Sequence, residues 1–151
     1  MKDHIRDYAT EAYRYYARMG CPTYEELRRA IYNKALQSAK KELLKTPGVS
    51  DPTAEAIIRA EKEVDLFASQ LDDILAVEKA IRLMLPKHPE WLRAVEIVYF
   101  TKADAQLEPG DIIGRVNMAA IEIPAGERTV YRWLKQARTL FARERGLRLA
   151  S

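Results

Sequence analysis

The stretch 127–141, ERTVYRWLKQARTLF, decides how this sequence of 151 residues folds. Its apolar side chains recur at spacings of three and four, which is the period of one face of an α-helix. Charged and polar side chains occupy the positions between them, so the opposite face is left for solvent or a partner. The stretch predicts an amphipathic helix over residues 127–145 with a buried face formed by Val130, Trp133, Leu134, Ala137, Leu140 and Phe141.

A shorter helical pattern lies directly before this stretch. Residues 110–122 carry apolar side chains with the same period, and Ile123-Pro124-Ala125-Gly126 separates the two patterns. Pro124 cannot continue the helix before it, while Gly126 is able to cap the helix after it. Two helices joined by a turn of three or four residues are the elements of a helix-turn-helix. We therefore predict a helix-turn-helix at this end of the chain.

The outer face of the second helix is basic. From Glu127 onward the sequence has seven Lys/Arg against two acidic residues, a net charge of +5, whereas the whole chain carries +3. In a helix-turn-helix the second helix enters the major groove of double-stranded DNA, where arginine and lysine contact bases and phosphates. A basic helix face can also be merely solvated, so the charge alone does not indicate DNA binding. It does so only together with the turn and the two apolar stripes. The DNA-binding residues predicted on this face are Arg128, Thr129, Tyr131, Arg132, Lys135 and Arg138.

The rest of the sequence also has helical periods. Its few glycines and prolines fall mainly between apolar-periodic segments, which predicts helices over residues 3–19, 23–44, 52–85 and 90–100. Thr23, followed three residues later by Glu26, is the pattern of a helix-capping box. We expect an all-α fold, with an N-terminal helical bundle that includes a long helix in residues 1–86 and the helix-turn-helix module in residues 87–151.

The long helix predicted over residues 52–85 has a heptad-like pattern. Ile57, Val64, Leu71 and Leu85 share one column, and Ala60, Phe67, Ile74 and Ile81 share the other. Such a stripe is suited to a homodimer seam, or to packing against the first two helices within one subunit. Two interpretations also fit the tyrosines near the N-terminus. They are either core residues or part of a surface that contacts another subunit or RNA polymerase. These tyrosines are Tyr8, Tyr13, Tyr15, Tyr16, Tyr24 and Tyr32.

Other classes of function find little support in the sequence. His4 and His88 are far apart, Asp72 and Asp73 are adjacent and so point in different directions on a helix, and a Gly-rich phosphate loop is not visible. We expect neither enzymatic activity, nor a cofactor, nor a metal site. Cys21 is the single cysteine, which fits a reducing, cytoplasmic setting. The sequence has no apolar run of about 20 residues, so a membrane span is not expected.

Residues 126–137, GERTVYRWLKQA, and the following Leu140-Phe141-Ala142 resemble the sigma-factor region-four type of helix-turn-helix in phage and prophage transcription regulators of the ArpU and RinA kind. The segment 95–100, VEIVYF, is similar to the helix that precedes this motif in those proteins. The resemblance covers about residues 76–147 and implies that Arg128, Thr129, Arg132 and Lys135 face DNA. In the family the turn usually reads Leu-Gly-Ile-Ser, and this chain has Ile123-Pro124-Ala125-Gly126 instead.

The combined interpretation is a sequence-specific, DNA-binding transcription regulator of phage or prophage type. Two alternatives stay open at the level of sequence. A small terminase-like subunit of a DNA-packaging machine also joins a helix-turn-helix to an oligomerising helical region. A helical interaction protein without DNA binding could use the same basic segment for an acidic protein partner.

Overall fold

The computed structural model describes residues 3–148, and within that range every regular element is helical. The all-α expectation is confirmed. In chain order the elements are α1 (His4–Arg18), α2 (Tyr24–Leu43), α3 (Pro52–Leu66), α4 (Ala68–Lys87), α5 (Pro89–Val95), a π-helical turn (Glu96–Phe100), α6 (Asp111–Glu122) and α7 (Glu127–Arg145).

Local sequence signals explain where several helices begin. Asp3 accepts a hydrogen bond from the Arg6 backbone N–H and caps α1. The capping box predicted at Thr23 is confirmed, because the Thr23 and Glu26 side chains each bond the other residue's backbone N–H. Such caps satisfy N–H groups that have no partner within the helix.

The single long helix expected over residues 52–85 is wrong. Helix α3 ends at Leu66, Phe67 leaves the helical conformation with φ −98° and ψ 13°, and α4 begins at Ala68. Ala60 and Val64 of α3 and Ile74 of α4 are all buried. The apolar stripe is therefore divided between two helices, and most of its members are buried or partly buried within the chain.

The helices form two compact units. The first combines the described residues up to Cys21 with those from Asp73 onward, and the second is Pro22–Asp72. The boundary expected between residues 86 and 87 therefore falls inside the first unit. The reason is that α1 packs directly on α7 and on the π-helical turn, although it is far from both in sequence.

Tyr13 shows how α1 joins the first unit. Its side chain is fully buried, and its hydroxyl donates a 2.6 Å hydrogen bond to the Ala137 carbonyl of α7. Its ring lies 5.9 Å from the Phe141 ring and 6.0 Å from the Tyr99 ring, distances typical of aromatic packing. Tyr13 is therefore a core residue and does not belong to an aromatic contact surface.

The second unit contains the helix pair α2 and α3 and has a small core. Helices α2 and α3 pack together, and their buried apolar side chains are mostly small. Alanine at a helix contact lets two backbones approach closely but buries little apolar area. The buried residues on these two helices are Ala39, Leu43, Ala56, Ala60 and Val64.

Candidate nucleic-acid interface

The turn between α6 and α7 is closed by backbone hydrogen bonds. The Ile123 N–H donates to Ala119 and the Ala125 N–H to Ala120, at 2.9 and 3.0 Å, which ends α6 in a compact turn. Gly126 has an extended backbone and is the N-cap of α7, as the sequence predicts, and its carbonyl accepts from the Val130 N–H. The first turn of α7 is therefore set directly after α6.

Helix α7 has one buried and one exposed face. Val130, Leu134, Ala137 and Phe141 are fully buried, which confirms four of the six positions predicted for its inner face. Trp133 and Leu140 were also expected inside but are partly buried, and they pack at the edge of the same core. The inner face contacts α1, α5 and α6, so the helix is held along its length.

The structure divides the six predicted DNA-binding residues into two groups. Arg128, Tyr131, Arg132 and Lys135 are exposed on the outer side of the first half of α7. Thr129 is partly buried. Arg138 is also partly buried, and its Nη1 donates a 2.8 Å hydrogen bond to the Tyr99 hydroxyl.

Arg14 is a buried positioning residue that sequence reasoning missed. It is 2% exposed and donates to the carbonyls of Tyr99 at 3.0 Å, Lys102 at 3.1 Å and Ala105 at 2.6 Å. Burial lowers the pKa of its guanidinium, with the nearby Arg115 as a further cause. The side chain fixes the path of the connection that leads to α6. No local pattern distinguishes Arg14 from an exposed arginine, because its partners lie 85 or more residues away.

The π-helical turn is fixed from two sides. Arg115 of α6 donates to the Val98 carbonyl at 3.0 Å, while Arg14 of α1 bonds the next carbonyl, that of Tyr99. A π-helical turn leaves backbone groups out of the regular α-helical pattern, and side chains that bond them stabilise it. The sequence predicts an α-helix up to Phe100, and its last five residues adopt this wider turn instead.

The far end of α7 is anchored by an ion pair. Arg145 Nε lies 2.7 Å from Asp73 Oδ1 of α4, and the Tyr8 hydroxyl of α1 donates to the same oxygen at 2.6 Å. Both charged side chains are about four-fifths buried, so solvent screens this pair less than a surface pair. The hydrogen bond to Asp73 raises the pKa of Arg145. Asp73 is thus a structural residue.

The Cys21 thiol is not activated as a nucleophile. It is exposed and unpaired by any disulfide, and partial burial together with Glu96 raises its pKa. Within residues 3–148, the structure contains no cluster of three or more His, Cys, Asp or Glu side chains able to hold a metal ion. The helices described over that range include none that is both long and apolar enough to span a membrane.

Comparisons of the chain with protein-family models, with curated proteins and with solved structures gave no match.

Proposed function

We propose that this protein binds double-stranded DNA, with α6, the turn 123–126 and α7 acting as a helix-turn-helix and α7 as the recognition helix. One observation carries the proposal. Among the described residues, no carboxylate lies within ion-pair distance of Arg128, Arg132 or Lys135, and all three side chains are exposed on one helix whose inner face is buried. Three unneutralised cations on a firmly held helix are well suited to a polyanion.

The length of this exposed segment fits the major groove. From Arg128 to Lys135 the helix rises by about 10 Å at 1.5 Å per residue, and the major groove is about 12 Å wide. Arginine can bond guanine with two parallel hydrogen bonds or contact a phosphate, and Tyr131 can contact phosphate or a thymine methyl group. Arg128 and Arg132 are the leading candidates for base contacts, since they lie one turn apart on the outer face.

We further infer that the DNA is read specifically, as by a phage or prophage transcription regulator. The support is the resemblance carried by residues 126–137 together with the exposed positions of Arg128, Arg132 and Lys135. A single recognition helix gives modest affinity, and proteins of this kind commonly bind two half-sites as dimers.

A second copy of the chain is the proposed partner of the α2–α3 helix pair. This pair buries mostly alanines, and it leaves Ile57 38%, Ile58 46% and Leu66 75% exposed. Helix α2 carries five basic against three acidic residues, and α3 carries four acidic against two basic residues. Helix α2 of one copy is therefore complementary in charge to α3 of another. Ile57, Ile58 and Leu66 lie on α3, so this surface keeps only the first part of the seam expected along residues 52–85.

DNA binding is tested by measuring the fluorescence anisotropy of labelled duplexes at two salt concentrations. The variant R132A/K135A removes two exposed cations, and we expect it to weaken binding at least tenfold, since each lost contact costs about 1 kcal/mol or more. The matched control K79A/R82A removes one lysine and one arginine from exposed positions on α4 and should bind as the wild type does. Equal affinity of both variants would refute the role of α7.

The same experiment separates the remaining interpretations. Absence of wild-type binding at low salt would refute DNA binding and favour an acidic protein partner. The oligomer mass, measured in the same buffer, is expected to be that of a dimer. A ring of eight or more copies would instead indicate a DNA-packaging subunit.

A further inference from the structure

A groove of about 600 Å³ lies beside the exposed face of α7, within the first unit. One wall is formed by the first turns of α1 and the other by α7. Tyr99, Ile112 and Leu134 contribute to the lining between the walls. The charged side chains and the aliphatic hydroxyl that line it are Arg6, Asp7 and Thr10 from α1 and Arg132, Lys135 and Arg138 from α7.

The groove is strongly cationic. Four basic side chains and one carboxylate, that of Asp7, line it. Arg6 Nε lies 3.4 Å from Asp7 Oδ1, and both side chains are more than half exposed, so this pair is weak and readily exchanged for another anion. The groove therefore keeps an excess of positive charge next to the proposed recognition helix.

Arg138 is a partly buried cation in this groove. Its guanidinium donates a hydrogen bond to the hydroxyl of Tyr99, and Tyr99 itself is 2% exposed and lies in the core. A hydroxyl fixes the position of a guanidinium without neutralising its charge. Arg138 is thus held in one place with donor groups left for an incoming anion.

We propose that this groove binds a phosphate group of the DNA backbone, with Arg6 and Arg138 as the charged donors and Thr10 as a hydroxyl donor. The inference rests on the proposed function, because phosphates border the major groove that α7 would enter. It adds α1 to the DNA interface, and α1 carries none of the residues that the sequence pattern assigned to DNA. A phosphate contact positions the protein on the duplex without reading its sequence.

The test compares R6A with R82A by measuring DNA affinity at several salt concentrations. Both arginines are exposed and each is paired with a carboxylate on its own helix, but only Arg6 lines the groove. Each phosphate contact contributes about 0.9 to the slope of log affinity against log salt concentration. Between 50 and 200 mM salt, wild-type affinity should therefore fall about 3.5-fold more than that of R6A. R82A should match the wild type.

A second variant, R138Q, should reduce the slope in the same way, with circular dichroism confirming that it is folded. The ratio of specific to non-specific affinity should stay unchanged in R6A. A wild-type slope in both variants would overturn the inference while leaving DNA binding by α7 intact.

A further experiment measures the shift in the melting temperature of the protein when inorganic phosphate is added at constant ionic strength. If R6A abolished that shift and left the DNA slope unchanged, the groove would serve a free phosphate ligand and the backbone assignment would be wrong.

Discussion

Replacing Arg14 by methionine is expected to lower the free energy of unfolding of the first unit by about 3 kcal/mol. Methionine has a similar length and no charge, so the substitution removes the hydrogen bonds without leaving a large cavity. The residue is 2% exposed, and three of its bonds to backbone carbonyls are 3.1 Å or shorter. The substitution therefore removes hydrogen bonds that join α1 to the end of the π-helical turn and to the segment that follows it.

The magnitude follows from the surroundings of the three carbonyls. A hydrogen bond to a charged group contributes about 1.5–3 kcal/mol, which would give more than 4 kcal/mol for three bonds if nothing offset them. Two offsets reduce this value. Lys102 and Ala105 are exposed residues, so water can bond their carbonyls in the variant, and methionine has no charge to desolvate. The carbonyl of the buried Tyr99 is the one left without a ready replacement.

The assay is urea unfolding followed by tryptophan fluorescence. Both tryptophans, Trp91 and Trp133, lie in the first unit, so their signal reports on that unit. With a slope of about 2 kcal/mol/M, a loss of 3 kcal/mol lowers the midpoint by about 1.5 M urea. The control is R18M, whose more exposed guanidinium bonds Ala103 and Glu11 and should contribute less than about 1 kcal/mol. An R14M variant no less stable than R18M would refute the reasoning.

Three further predictions concern the same unit. Burial raises the pKa of Tyr13, so above pH 10 the unfolded chain loses the phenolic proton that the folded chain keeps. The free energy of unfolding should therefore fall by about 1.4 kcal/mol per pH unit because of this group. Y13F should remove this part of the pH dependence in urea midpoints measured between pH 9 and 11. Pro124 has φ 22°, far from the value of about −65° that its ring favours and in the region that favours glycine, so P124G should relieve about 1–3 kcal/mol of strain and raise the melting temperature; an unchanged or lower melting temperature would contradict this. D73N should lower stability by about 1–3 kcal/mol in thermal unfolding, because it weakens the partly buried pair with Arg145; an unchanged melting temperature would contradict this.

Short-range features of this protein were predictable because they depend on neighbours in the sequence. The period of Val130, Leu134 and Phe141 placed α7 and its buried face, and Thr23 placed the start of α2. The exposure of Arg132 follows from the same period, since it lies across the helix from the buried side chains. These positions needed no knowledge of which helices pack together.

Features that depend on long-range packing were not predictable in the same way. The heptad pattern over residues 52–85 continues through Phe67, so it gives no sign that α3 ends at Leu66 and that α4 begins at Ala68. Arg14 and Tyr13 act on partners 85 or more residues away, so their roles become visible only when α1 lies on α7. For the same reason, the sequence did not indicate that Arg6 faces the groove beside α7.

The bond between Tyr13 and Ala137 has a consequence for the synthesis of the protein in the cell. Its two partners are separated by 124 positions in the chain, so at about 5–20 residues per second the ribosome needs roughly 6–25 s to make the second after the first. During that interval α1 has no α7 to cover its apolar face. The α2–α3 segment is contiguous and is complete long before then. Nascent chains should therefore expose α1 to chaperones or proteases until α7 has been synthesised.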